Sequence, residues 1–127
     1  PDLYRQAVAN CAGRSNVELI LGDGVHLLPE IAMRVDRAVL FLDGHFSGGE
    51  TGQGDEPEPV LKELDLISAS LGNFCGVVVD DFRLFGVEPG WPGKFEVMAK
   101  LEHRLPVPQW IHYVMNDQFL TIRKFSR

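Results

Sequence analysis

The stretch Ala38-Val39-Leu40-Phe41-Leu42-Asp43-Gly44-His45 decides the fold class, because five apolar residues end abruptly in an acid and a glycine. A second run, Gly76-Val77-Val78-Val79, is followed in the same way by Asp80-Asp81. Runs that are almost continuously apolar and rich in Val are typical of strands buried on both faces of a parallel sheet. A third run, Val17-Glu18-Leu19-Ile20-Leu21, precedes Gly22-Asp23 and is predicted to be another strand of that sheet.

The intervals between these runs are long enough to hold crossover helices. Apolar residues recur at helical spacing in Val25 to Val35 and again in Pro57 to Leu71. A further helix is predicted from Leu3, ending at Gly13. Near the end of the chain, two β-rich segments, 109–115 and 118–124, flank Asn116-Asp117, which is the pattern of a hairpin. The sequence therefore predicts an α/β fold with three parallel strands, flanking helices and a C-terminal antiparallel hairpin.

Composition and charge exclude several classes of protein. Twelve basic and eighteen acidic residues give a net charge of −6, which disfavours nucleic acid or an anionic membrane as a partner. No apolar run approaches the roughly 20 residues that a transmembrane helix needs. Cys11 and Cys75 lie in apolar settings and are expected to be free thiols in a reducing, cytoplasmic environment.

Each predicted strand ends in an acid, and parallel strands bring their carboxyl ends to one rim of the sheet, where ligands bind. Asp43, Asp80 and Asp81 would then meet, and such oxygen donors suit a hard divalent cation. The alternative is that an arginine or water compensates the adjacent acids. Asp23 is also explained as a turn or N-cap residue.

The glycine-rich segment after Asp43 is predicted to be an active-site loop. It lacks the lysine of a phosphate-binding loop. His45, two residues from Asp43, is a candidate general base, and the alternative is a histidine that only makes local hydrogen bonds. The acids further along, namely Glu50, Asp55, Glu56 and Glu58, are interpreted as a solvated face rather than a calcium site.

The order of these motifs resembles the second half of a class I S-adenosylmethionine-dependent methyltransferase, with a partial Rossmann-like sheet. The most similar group is that of the metal-dependent O-methyltransferases that act on sugars and macrolides. The resemblance implies that Asp43, Asp80 and Asp81 hold Mg²⁺ or another divalent cation and that His45 acts as the catalytic base. It also places Gly22 and Asp23 at the binding site of S-adenosylmethionine.

The activity implied is transfer of a methyl group from S-adenosylmethionine to a metal-bound hydroxyl of a small molecule. Residues 1–127 are expected to form a single α/β domain without the family's first strands and glycine-rich cofactor loop, so this chain alone should bind the cofactor weakly. An alternative is a non-catalytic, oligomerising α/β module with a residual metal site, because removing central strands exposes sheet edges. A metal-dependent phosphotransfer or hydrolase domain is a third interpretation. Association into a homo-oligomer is expected, because Val17–Leu21 would lose its neighbouring strands, and the alternative is that this segment pairs directly with Ala38–Leu42.

Overall fold

A computed structural model describes residues 2–44 and 58–124 of the chain. The helices described are α1 (Asp2–Asn10), α2 (Gly24–Arg34), α3 (Val60–Leu66) and α4 (Lys94–Arg104), and a 3-10 segment spans Ser68–Asn73. The strands described are β1 (Ala38–Leu42), β2 (Phe74–Val79), β3 (Trp110–Met115) and β4 (Gln118–Arg123). The α/β class predicted from the sequence is confirmed.

The four strands form one mixed sheet in the order β1-β2-β4-β3. β1 and β2 are parallel, with Leu40 opposite Val77 and Leu42 opposite Val79. β4 is antiparallel to both of its neighbours, so the last strand of the chain lies between β2 and β3. The parallel part of the sheet therefore contains two described strands, and the prediction of three was wrong.

Val17–Leu21 is the segment responsible for that error. It follows α1 without forming a sheet ladder in the described structure. The Leu19 carbonyl accepts a hydrogen bond from the Tyr4 hydroxyl at 3.3 Å, and the Glu18 carboxylate pairs with Arg34 at 3.3 Å. The segment thus lies beside α1 and α2, and it does not pair with β1. An apolar pattern makes a segment suitable for a strand, but a strand also needs a neighbour for its backbone groups.

The hairpin between β3 and β4 forms as the sequence predicts. Its two turn residues, Asn116 and Asp117, have φ angles of +49° and +67°. Both angles lie in the left-handed region that a two-residue hairpin turn requires, and Asn and Asp are the non-glycine residues that tolerate it best.

The core lies on one face of the sheet. Side chains from β1, β2 and β4 pack there against α3 and α4, and the buried apolar set includes Leu40, Leu42, Val77, Val79, Phe119, Val60, Leu64, Val97 and Leu101. Two alternating positions along each strand supply this face, as the two-residue period of a strand dictates.

The opposite face of the sheet remains open to solvent in the described structure. Strand register places Val39 and Ile111 in one row across it and Phe41 and Tyr113 in the next. Val39 is 62% exposed and Phe41 is 51% exposed. Val39, Phe41, Ile111 and Tyr113 together form the open face of the sheet.

Both cysteines are free thiols, as the sequence predicts. Among the helices that the structure describes, none has the length and apolar character needed to cross a bilayer.

Candidate functional site

The carboxyl ends of β1 and β2 bring two of the predicted site residues together. Leu42 and Val79 are opposite each other in the parallel pair, and the Asp80 amide donates to the Leu42 carbonyl at 3.0 Å. Asp43 and Asp80 follow these partners directly, so both acids lie at the same rim. The Asp80 carboxylate also accepts a hydrogen bond from the Gln118 amide of β4 at 3.2 Å.

Asp81 lies at the same end of the sheet but is tied to the hairpin turn. Its φ angle is +49°, and its carboxylate accepts a hydrogen bond from the Arg83 guanidinium at 2.6 Å. Arg83 also pairs with the Asp117 carboxylate, and the Asp117 carbonyl accepts from the Phe82 amide at 2.8 Å. The negative charge of Asp81 is therefore compensated by an arginine, which is one of the alternatives to a cation that the sequence left open.

Two further acids near this rim are buried, and sequence reasoning missed both. Glu58 is 8% exposed and Glu63 is 5% exposed. The interpretation of Glu58 as part of a solvated acidic face was wrong, because it packs where α3 begins. Glu63 falls at helical spacing between Val60 and Ile67 on the stripe that faces the core. This helical spacing in the sequence could have predicted that Glu63 is buried.

Burial and neighbouring charges change the protonation of these two side chains. The pKa of Glu58 is raised from 4.5 to about 7, mainly by desolvation and also by the negative charges of Glu63, Asp43 and Asp81, against one lowering contact. That contact is the Val60 amide, which donates to the Glu58 carboxylate at 3.1 Å. Burial also raises the pKa of Glu63, and the charge of Asp23 adds to the effect. Glu58 is therefore close to half-protonated near neutral pH.

A cleft of about 300 Å³ opens beside β1. Its lining residues come from α2, β1, the rim and α3, and they are Leu28, Leu40, Phe41, Leu42, Asp43, Gly44 and Glu63. This cleft, called the Glu63 cleft below, combines apolar walls with two carboxylates. Such a combination can hold a small molecule and exchange hydrogen bonds or protons with it.

The two residues predicted to contact the cofactor lie at the start of α2. Asp23 is the N-cap, and its carboxylate accepts from the Val25 amide at 2.9 Å. Gly22 is in the bend before it, where a Cβ would lie 2.6 Å from the Leu27 Cδ1 atom. The capping interpretation of Asp23 is confirmed, and a role toward S-adenosylmethionine stays a prediction.

The remaining predicted site residue, His45, lies outside the described residues. Across residues 2–44 and 58–124, no group of three or more His, Cys, Asp or Glu side chains is arranged to hold a metal ion. Asp43 and Asp80 follow neighbouring strand ends, and the Asp81 carboxylate pairs with Arg83. That Asp43, Asp80 and Asp81 together hold a divalent cation stays a prediction.

Comparison of the chain with protein-family models, with curated proteins and with solved structures finds no match.

Proposed function

We propose that the chain is a methyltransferase-like α/β domain that methylates a hydroxyl group of a small molecule at the rim formed by β1 and β2. The observation that supports this proposal best is the register of the parallel pair, which makes Asp43 and Asp80 neighbours at the carboxyl ends of adjacent strands. The sheet order adds support, since an antiparallel last strand beside the parallel pair is what we expect from the terminal hairpin on which the resemblance to a class I methyltransferase rests.

In this proposal S-adenosylmethionine supplies an electrophilic methyl group, and a divalent cation such as Mg²⁺ lowers the pKa of the acceptor hydroxyl. Asp43 and Asp80 would hold the cation, because carboxylate oxygens are the ligands that hard cations prefer. Asp81 would become a third ligand only if its carboxylate gave up the hydrogen bond from Arg83 and bound the cation instead. His45 would accept the hydroxyl proton as a general base, since its ordinary pKa is about 6.5.

Calorimetric titration with Mg²⁺ and Mn²⁺ tests the proposed cation site. We expect the wild-type protein to bind and Asp43→Asn and Asp80→Asn to bind at least about tenfold more weakly, because each removes one charged ligand. Asp36→Asn, at an exposed position before β1, is the matched control and should bind like the wild type. Equal affinity in all four proteins would refute the site.

A second candidate function, a non-catalytic module that assembles with itself, is favoured by the open face. Two of its exposed apolar side chains, Val39 and Phe41, are on β1, which is an edge strand of the described sheet. An apolar strand at a sheet edge is a template for pairing with another chain. A second copy that packs against this edge and the open face beside it would cover Val39 and Phe41.

Light scattering distinguishes this candidate. Assembly predicts a particle larger than the 14.2 kDa chain, and Phe41→Lys should shift it toward the monomer. Met33→Lys, at an exposed apolar position on α2, is the control and should leave the mass unchanged. A wild-type protein that is monomeric at all concentrations would eliminate this candidate.

A further inference from the structure

The side chain of Glu63 is buried in an unusual way for a carboxylate. Glu63 is 5% exposed, and among the described residues no hydrogen bond to its carboxylate is found, so the oxygen atoms reach solvent only through the cleft. Removing a carboxylate from most of its water without a partner costs free energy, and buried acids are normally paired or hydrogen-bonded. A ligand that brings a donor to Glu63 would recover part of this cost.

The surroundings of Glu63 leave its carboxylate accessible from the cleft. A Cβ atom at Gly24 would lie 2.8 Å from Glu63 Oε1, and one at Gly44 would lie 3.6 Å from it. Glycine at position 24 lets the carboxylate lie against the start of α2, because a Cβ there would have to displace it, whereas a Cβ at position 44 would make only ordinary contact. Because Glu63 also lines the cleft, its carboxylate can be reached by a molecule bound there.

The charges that face this carboxylate are negative. Asp43 lines the same cleft, and the Asp23 carboxylate, at the start of α2, acts on Glu63 electrostatically. Glu58, at the start of α3, is coupled to Glu63 in the same way. Among the described residues that line the cleft, none is Lys, Arg or His. A cation in the cleft would therefore be attracted by several carboxylates at once.

The walls of the cleft are apolar and limit the size of the ligand. Leu28 comes from α2 and Leu40 and Leu42 come from β1, so an apolar body would contact leucine side chains on two sides. A volume of about 300 Å³ lies at the lower end of the range for small-molecule sites, roughly 300–1,000 Å³. This size suits a ligand with one small ring or a short aliphatic chain.

We propose that the Glu63 cleft binds a small organic ammonium compound, whose nitrogen donates to the Glu63 carboxylate while its apolar part packs against Leu28 and Leu40. This proposal goes beyond the function proposed above and does not depend on it. The two share Asp43, but the cation site at the rim needs Asp80 and not Glu63. A substitution of Glu63 therefore tests only the ammonium site, and a substitution of Asp80 tests only the cation site.

Two probes of nearly the same shape test the proposal on the wild-type protein. Benzylammonium carries the charge, and benzyl alcohol lacks it. In methyl NMR spectra at pH 8, benzylammonium should shift the signals of Leu28 and Leu40, and benzyl alcohol should bind at least about tenfold more weakly, a difference of about 1.4 kcal/mol. This comparison needs no variant, so it remains valid whatever happens to the folding of a mutant.

Variants then assign the effect to Glu63. Glu63→Gln should weaken benzylammonium binding about tenfold and leave benzyl alcohol binding unchanged. Glu102→Gln, an exposed position on α4, is the matched control and should bind both probes like the wild type. Equal binding of the two probes by the wild type, or wild-type affinity for benzylammonium in Glu63→Gln, would overturn the proposal.

Discussion

Replacing Glu58 by Gln should stabilise the protein at pH 8 by about 2 kcal/mol and leave its stability at pH 4 nearly unchanged. Gln has the shape of Glu, and its side-chain oxygen can still accept the hydrogen bond from the Val60 amide. The substitution therefore removes the buried charge and little else. The affected charge faces Glu63 on α3, Asp43 after β1 and Asp81 after β2.

The direction of the effect follows from the raised pKa of Glu58. In the folded protein its pKa is about 7, against 4.5 in the reference state. Below 4.5 the side chain is protonated in both states, and its contribution to stability is fully present. Between 4.5 and about 7 the folded state binds the proton more tightly, so this contribution is lost as the pH rises through that window.

The magnitude comes from the same two pKa values. The interval from 4.5 to about 7 corresponds to roughly 3.5 kcal/mol at about 1.4 kcal/mol for each pKa unit. Residual contact with water screens the charge, which reduces the expected effect to about 2 kcal/mol. For a domain of this size that difference is roughly 8 °C in the midpoint of thermal unfolding.

Urea unfolding of wild type and Glu58→Gln at pH 4, 6 and 8 measures this difference. As the pH rises, Glu58→Gln should become increasingly more stable than the wild type. Glu63 also has a raised pKa, but it is present in both proteins, so the difference between their free energies of unfolding reports on Glu58. Glu102→Gln should follow the wild type at every pH. If Glu58→Gln and wild type lose stability in parallel between pH 4 and 8, the burial argument is wrong.

Two other substitutions test the rim and the start of α2. Asp23→Ala should lower the free energy of unfolding by about 1 kcal/mol through loss of the N-cap, and Asp23→Ser should recover most of it; an Asp23→Ala protein as stable as wild type in urea would contradict the capping role. Arg83→Gln should raise the affinity for Mn²⁺ by about threefold or more, because it removes the guanidinium that competes with a cation for the Asp81 carboxylate, while costing about 1 kcal/mol of stability. Calorimetry decides this, and an affinity that stays the same or falls would show that Asp81 takes no part in cation binding.

Local sequence patterns determined most of the secondary structure. The apolar stripe from Val25 to Val35 matches α2, which spans Gly24–Arg34 and ends one residue before Val35. The Asn116-Asp117 pair specified the hairpin turn, since a two-residue turn depends on its own φ angles. The two almost continuously apolar runs, 38–42 and 76–79, lie in β1 and β2 because each has a partner strand within the chain. In the second helical segment, α3 ends at Leu66 and a 3-10 segment covers Ser68–Asn73.

Pairing and burial were decided by contacts between residues far apart in the chain. The sequence made Val17–Leu21 suitable for a strand, but only the tertiary structure determined that no described strand lies beside it. The sequence also placed Asp43 and Asp80 at strand ends, while the parallel register made them neighbours. The burial of Glu58 and the pairing of Asp81 with Arg83 depend on how α3 and the hairpin turn pack against the rim. A pattern of apolar residues records which side chains favour burial, whereas the cost of burying a charge is set by the groups that surround it in three dimensions.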